Sequence, residues 1–247
     1  MHWQLVVIAS LVIVACSNGD DDRDAPPRIV PENLSVRALE GGNGVLELRA
    51  LTLQREPSGP VLYAALTNVG DAPACHAALS VELYDRDEQS VAAGISGLLT
   101  QRFYRLTDGS ESIAACVGPG DVTMAAVTDW PSDLAIEDVG FAVYRCPYFA
   151  LDVEPIDGLA IRDVKRVTRG AETAYAGTFE NGFDVAVRDP SVTVFPVDRG
   201  GRPLGIATTV GADEIAPGER WRFETSRVDV TATDYVAFPA AALDPPR

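Results

Sequence analysis

The sequence has 247 residues, of which 47% are apolar, enough for two globular domains of about 100 residues each after an N-terminal leader. Its formal net charge is −16, with 36 acidic against 20 basic residues, and the basic residues appear scattered along the chain. This balance argues against nucleic-acid binding, because neutralising phosphates requires clustered Lys and Arg.

The N-terminus carries an export signal. Residues 5–15 form a run of eleven mostly apolar residues, too short to cross a bilayer core of about 30 Å and typical of a cleaved signal peptide. The run ends in Ile-Val-Ala-Cys at 13–16, which resembles a bacterial lipobox, the motif whose Cys is diacylated and becomes the new N-terminus. An ordinary secretory signal and a short buried helix are the alternatives.

Lipidation at Cys16 implies a stable membrane anchor, because two acyl chains hold a protein on a bilayer where one is marginal. Ser17, rather than Asp, follows the Cys, and by resemblance to Gram-negative lipoproteins this favours the outer membrane, with the protein facing the periplasm or the cell surface. Residues 17–44 are rich in Asp, Pro and Gly, so we expect a flexible tether there.

The rest of the chain predicts short strands separated by turns, with no helical periodicity. Alternating apolar positions bounded by Gly, Pro, Asn and Asp predict strands in two units, 45–149 and 150–247. The predicted strands are 45–53, 61–68, 77–85, 90–95, 120–128 and 139–144 in the first unit, and 159–167, 173–181, 191–197, 204–210, 219–225 and 234–238 in the second. The expected fold is all-β, two tandem antiparallel immunoglobulin-like β-sandwiches.

The two units look like copies of each other. Three segments of the first match three of the second: 62–68 with 175–181, 80–85 with 191–196, and 118–121 with 216–219. The main difference is an insertion at 97–115 in the first unit, which could carry function as a long loop or simply cover one end of the sandwich.

The first unit resembles the FxLYD-type immunoglobulin-like domains of bacterial exported proteins. The residues that carry the resemblance are the strand end Val81-Glu82-Leu83-Tyr84-Asp85, the upstream Asn68 and the downstream Pro119-Gly120-Asp121. The second unit keeps Asn181 and Pro217-Gly218-Glu219 but has Val-Phe-Pro at 194–196 in place of Leu-Tyr-Asp. The resemblance implies an extracytoplasmic β-sandwich and no catalytic residues.

With Cys16 lipidated, three of the four cysteines remain, and an up-and-down strand order places all three at one end of the first sandwich. We predict a disulfide between Cys75 and Cys116, which flank the family landmarks, worth about 4 kcal/mol in the chain-entropy model. Cys146 is then free or replaces one of the two. A zinc site built from these thiols and His76 is the weaker alternative, because disulfides form by default in an oxidising compartment.

No motif indicates an enzyme or a cofactor. The mature chain has a single His, and Gly-Ile-Ser-Gly at 94–97 lacks the spacing of a nucleophile elbow. We therefore expect a non-enzymatic envelope protein that binds or positions a partner. Trp130, in an acidic loop with a Pro, is the best candidate for contact with a protein, a carbohydrate or peptidoglycan, and the alternative role, which we favour over contact, is to plug the sandwich end. An enzyme of unrecognised type is the remote alternative.

Overall fold

The computed structural model describes residues 28–30, 34–39 and 44–243, except positions 101, 111, 212 and 213. This part of the chain forms β-strands and a single-turn 3-10 helix at Ile136–Asp138. The strands are β1 Arg28–Val30, β2 Ser35–Ala38, β3 Leu46–Glu56, β4 Gly59–Asn68, β5 Ala74–Cys75, β6 Ala78–Asp85, β7 Ser90–Gly97, β8 Arg102–Leu106, β9 Ile113–Val117, β10 Val122–Val127, β11 Val139–Arg145, β12 Val153–Ile156, β13 Leu159–Arg169, β14 Glu172–Asn181, β15 Val187–Val197, β16 Ala207–Val210, β17 Glu214–Ile215, β18 Arg220–Glu224 and β19 Asp234–Leu243.

The first sandwich packs two sheets face to face, with strand orders β1-β3-β4-β10 and β2-β11-β6-β7. Its core comes from alternate residues on the facing strands, such as Leu62 and Leu66 on β4 and Leu79 and Leu83 on β6, all fully buried. Side chains on a strand alternate between faces, so the apolar alternation in the sequence becomes this shared core.

The second sandwich repeats the plan. One sheet has the order β13-β14-β18, and in the other β15 pairs with β16 and β17 on one side and with β19 on the other. Its core contains Tyr175, Phe179, Val192 and Val194. The predicted all-β sandwich fold is thus confirmed, and a strand is present in each of the predicted segments.

The repeat extends to individual hydrogen bonds at the end of the central strands. The Asn68 side-chain amide donates to the carbonyls of Ala72 and Val117 at 2.9 and 2.8 Å, and its oxygen accepts from the Gly70 N–H at 2.9 Å. These bonds tie β4 to the turn that follows it and to the chain leading into β10.

Asn181 makes the same three bonds in the second sandwich. Its amide donates to Val185 and Ile215 at 2.9 and 3.0 Å, and its oxygen accepts from the Phe183 N–H at 3.0 Å. Both Asn side chains are fully buried, so their polar atoms need these partners.

The Pro-Gly-acid turns are also equivalent. Gly120 and Gly218 have φ values of 75° and 72°, a conformation that glycine adopts without steric cost. The following acid accepts a hydrogen bond from the backbone N–H three residues before it, Asp121 from Gly118 at 3.1 Å and Glu219 from Ala216 at 3.0 Å.

The hairpins correct one part of the sequence alignment. The Asp85 carboxylate accepts from the N–H groups of Asp87 and Gln89, closing the turn after β6. Asp198 closes the turn after β15 in the same way, accepting from Gly200 and Arg202. Asp85 therefore corresponds to Asp198 and not to Pro196, and the two-residue shift leaves every side chain on its original face because strands have a period of two.

The first sandwich begins before residue 45, whereas the sequence predicts a tether as far as residue 44. β1 pairs in parallel with β3, β2 pairs in parallel with β11, and Leu34 between them is 2% exposed in the core. Parallel pairing gives the backbone of this short segment the hydrogen bonds that a solvated tether would make with water.

The insertion at 97–115 forms a third sheet with the order β12-β8-β9-β5. β12 comes from the linker between the sandwiches and pairs with β8, so the predicted boundary at 149/150 is crossed by a sheet. Phe103 on β8 reaches into the second core, where it is 1% exposed and packs edge-on against Phe183 with a ring-centroid distance of 5.0 Å. The insertion therefore fastens the first sandwich to the second.

A sheet-on-sheet contact joins the two sandwiches at a second place. Tyr63 and Ala65 on the outer face of β4 pack with Phe195 and Val197 on the outer face of β15, and Tyr63 meets Phe195 edge-on at 6.3 Å between centroids. At the margin of this contact the Thr52 hydroxyl donates to the Pro203 carbonyl at 3.1 Å.

Candidate functional site

Trp130 is buried, so the sequence-based role as an exposed contact residue needs correction. Its side chain is 8% exposed in the first core, and its indole N–H donates to the Val127 carbonyl at 2.8 Å. The ring lies against Gly94, where a β-carbon would come within 3.2 Å of it. Trp130 plugs the sandwich, because burying its apolar ring is more favourable than leaving the ring exposed on a loop.

The predicted disulfide is present between Cys75 on β5 and Cys116 on β9. It links two neighbouring strands of the third sheet at directly paired positions, and β5 leads into β6 of the first sandwich. Cys146 is a free, buried thiol, and burial raises its pKa to about 12, so it is held in the unreactive protonated form. His76 is exposed and its ring meets Phe149 edge-on at 6.3 Å.

Zinc binding by these side chains does not fit the structure, because the disulfide occupies two of the three thiols that it requires. Across the described ranges, no three His, Cys, Asp or Glu side chains form a group that could hold a metal ion. The predicted lipidation residue, Cys16, lies outside the described residues.

A groove of about 650 Å³ opens where the insertion, the linker and the second sandwich meet. It is lined by apolar residues, among them Phe103, Ile156 and Leu159, and by the charged residues Arg102, Asp157, Arg162 and Glu180. Junctions between domains are a common place for binding sites, since each side contributes groups that neither could place alone. The groove is therefore the candidate site of this molecule.

Close contacts between the backbone and Phe103 shape the groove. Gly182 donates its N–H to the Gly158 carbonyl at 3.0 Å, and a β-carbon at either glycine would overlap a neighbour, the Gly158 carbonyl in one case and the Phe103 ring in the other. Two glycines thus let the linker lie against the end of β14 while Phe103 enters the second core.

Two lining residues, Arg162 and Glu180, belong to a charged triad that Arg220 completes outside the groove lining. The Arg162 Nε lies 2.6 Å from one carboxylate oxygen of Glu180, and an Arg220 nitrogen lies 3.3 Å from the other. The hydrogen bond from Arg162, with a further one from Arg220, lowers the pKa of Glu180 below its usual range. Glu180 is therefore a fixed anion at neutral pH.

A further lining residue, Arg102, forms an ion pair with Asp121, whose Oδ2 lies 2.9 Å from the Arg102 Nε. Asp121 is 8% exposed and also closes the Pro-Gly turn of the first sandwich, so this turn orients the arginine of the insertion. The Arg102 side chain is 57% exposed and the Arg162 side chain 52%, which leaves part of both guanidinium groups open to solvent.

The sequence singles out the insertion and, as part of the Pro-Gly-acid turn, Asp121, but none of the other charged residues of the groove. The description of the basic residues as scattered is wrong for one segment, since Arg162, Lys165, Arg166 and Arg169 fall within eight consecutive positions and all lie on β13. Strand pairing brings Glu180 beside Arg162 on β13, although the two residues are 18 positions apart in the sequence. No recognisable sequence motif has this spacing.

Comparison with known proteins does not assign the chain to a family. No protein-family model matches the chain, and no curated protein matches it. Within the described portion of the chain, no helix has the length and apolar character needed to cross a membrane.

Proposed function

We propose that this protein is a lipid-anchored, non-enzymatic module of the cell envelope, held on the outer membrane by Cys16, whose two fastened sandwiches bind and position a protein partner. The observation that carries the proposal is the groove at the junction, because both repeats contribute to its walls. A partner held there would have a fixed orientation to both sandwiches.

The chemistry of the groove supports binding rather than catalysis. A general acid or base works best with a pKa near the operating pH, whereas the pKa of Glu180 is shifted downward, away from neutrality. The half-exposed guanidinium groups of Arg102 and Arg162 suit carboxylates and backbone carbonyls of an extended polypeptide. The burial of Trp130 removes the residue on which a carbohydrate-binding role depended.

The resemblance to FxLYD-type domains belongs to the same proposal. Three features support it: the buried Asn68 and Asn181, the equivalent Pro-Gly-acid turns, and Asp198 standing in the second copy where Asp85 stands in the first.

Binding is tested by placing a photo-crosslinking amino acid at position 160, on the groove wall, in cells that make the full chain. The matched control is position 176, a second half-buried alanine on the outer face of the same sheet but away from the groove. We expect a discrete protein adduct from position 160, lost when Arg162 is changed to Ala, and none from position 176. Equal adducts from both positions, or none from either, would contradict the proposal.

Anchoring is tested separately with Cys16→Ser, which removes the acylated atom. The wild-type chain is expected in the membrane fraction with a diacylglyceryl group on Cys16 by mass spectrometry, and the variant in the soluble fraction or as unprocessed precursor. Ser17→Ala keeps the thiol and serves as control for acylation. An unmodified, soluble wild-type chain refutes the anchor.

A further inference from the structure

Edge strands present unpaired backbone groups, and proteins protect them with charges, Pro, bulges or short length. Most edges here are protected in this way. β13 carries Arg and Lys and a bulge after Arg162, β19 contains Pro239, β16 has only four residues, and the Leu99 N–H covers β10 by donating to the Met124 carbonyl at 3.0 Å.

β7 is the least protected of these edges. It has eight residues, Ser90–Gly97, none of them charged or Pro, its one bulge is at Val91 near its start, and among the described strands it pairs with β6 alone. Its outward side chains are Val91, Ala93 and Ile95, and Val91 and Ile95 are 38% and 61% exposed. Ala92 and Gly94 face inward and are small. The strand is open at its edge because it pairs only with β6, and its exposed face is apolar because it carries Val91, Ala93 and Ile95.

The strand is complementary to itself. In an antiparallel pair centred on Ala93, Val91 of one copy lies opposite Ile95 of the other, and Ala92 lies opposite Gly94. Every opposed pair is therefore uncharged, and the two Val–Ile pairs cover the most exposed apolar side chains of the strand.

No like charges would be brought close together next to Ala93 in this pairing. Glu82 is the acid next to Ala93 on β6, and in the paired arrangement the two copies of Glu82 would lie three strand spacings, or about 14 Å, apart. That distance exceeds the screening length of about 8 Å at physiological salt. The net charge of −16 on each copy still opposes association, so salt should strengthen it.

We propose that the partner of β7 is a second copy of this chain, joined antiparallel through β7 about a two-fold axis at Ala93. The four-stranded sheet β2-β11-β6-β7 becomes one continuous sheet of twice that width. The dimer does not depend on the groove, and Ala160→Phe, which fills the groove, leaves it unchanged.

The oligomeric state of the full chain, measured by size-exclusion chromatography with light scattering in low and in high salt, tests the proposal. Wild type is expected at twice the chain mass, with a larger dimer fraction in high salt, and Val91→Lys and Ile95→Lys at the chain mass. Both sites are exposed, so both variants should fold. Val210→Lys, at a residue 73% exposed on β16, is the matched control and stays dimeric. A monomeric wild type, or Lys variants that remain dimeric, overturns the proposal.

Cysteine crosslinking tests the register in a Cys16→Ser background. Ala93→Cys places two thiols at neighbouring positions across the axis, with a Cα–Cα distance of about 5 Å that a disulfide accommodates. Ile95→Cys places them about 14 Å apart along the strands, beyond reach. Oxidation should link only the first variant into dimers, and linkage of the second, or of neither, overturns the register.

Discussion

The central strands of the two sandwiches, β4 and β14, occupy equivalent positions, but their outer faces have different surroundings. On β4, Tyr63 and Ala65 on the outer face are each 1% exposed, because the second sandwich covers them. On β14, the corresponding face carries Ala176 and Thr178, which are partly exposed. A duplicated strand thus keeps its core face and changes its other face according to whether a neighbour covers it.

The opposite sheets show the same divergence. With Asp85 matched to Asp198, Glu82 corresponds to Phe195 and Tyr84 to Val197. Phe195 and Val197 are buried against the first sandwich, whereas Glu82 is half-buried and accepts a hydrogen bond from Ser90. Arrays of repeats end in polar faces, so this charged substitution is what a terminal copy requires.

The largest expected effect comes from Phe103→Ala, which removes the ring that the first sandwich places in the second core. Loss of a fully buried Phe costs about 3–5 kcal/mol, through lost burial and the cavity left behind. Chemical denaturation should show the loss, with Phe149→Ala, at a residue 63% exposed, unchanged as control. A cost under about 1 kcal/mol would mean that the insertion does not fasten the sandwiches.

Asn68→Ala and Asn181→Ala compare the two copies directly. Each removes three hydrogen bonds and takes the Asn donor away from one buried carbonyl, that of Val117 or of Ile215, which we expect to cost about 2–4 kcal/mol in either sandwich. Thermal unfolding should show similar losses for the two variants. A loss in one and not the other would break the equivalence of the copies.

Tyr175→Phe examines a position where the copies differ, since Leu62 stands there in the first sandwich. The Tyr175 hydroxyl is buried and has no hydrogen-bond partner in the part of the chain that the structure describes. Removing it should leave stability unchanged or raise it by up to about 1 kcal/mol, by the same unfolding measurement. A loss of 2 kcal/mol or more, about the cost of breaking a buried bond, would reveal a partner for the hydroxyl.

The smallest effect concerns pH. Arg162 and Arg220 lower the pKa of Glu180 in the folded state below its ordinary value of 4.5, so this carboxylate stabilises the fold above that pH. The contribution is lost as the pH falls through the lowered pKa. Glu180→Gln should reduce the loss of stability below pH 4.5 by under about 1 kcal/mol, as partly exposed pairs do. Glu224→Gln, on exposed β18, is the control in a pH series of unfolding curves.

Local patterns were enough to predict the strands and the Asn and Pro-Gly-acid turns, because these depend on alternation or on turn residues close in sequence. The Cys75–Cys116 bond, between residues 41 positions apart, followed from the strand order and the landmarks that the two cysteines flank. Local patterns failed where distant segments meet. Nothing in 97–115 indicated that Phe103 would enter the second core, and the alignment of 191–196 was off by two residues because both registers preserve the apolar alternation.

The sequence by itself determined an acidic, all-β chain built as two copies of one sandwich, since strand periodicity and turn chemistry are local. The tertiary structure alone decided which outer faces are buried, how the insertion fastens the copies, and where the groove with Arg162 and Glu180 opens. The physical reason is that the residues next to an outward-facing apolar side chain do not reveal whether another part of the chain covers it or solvent does.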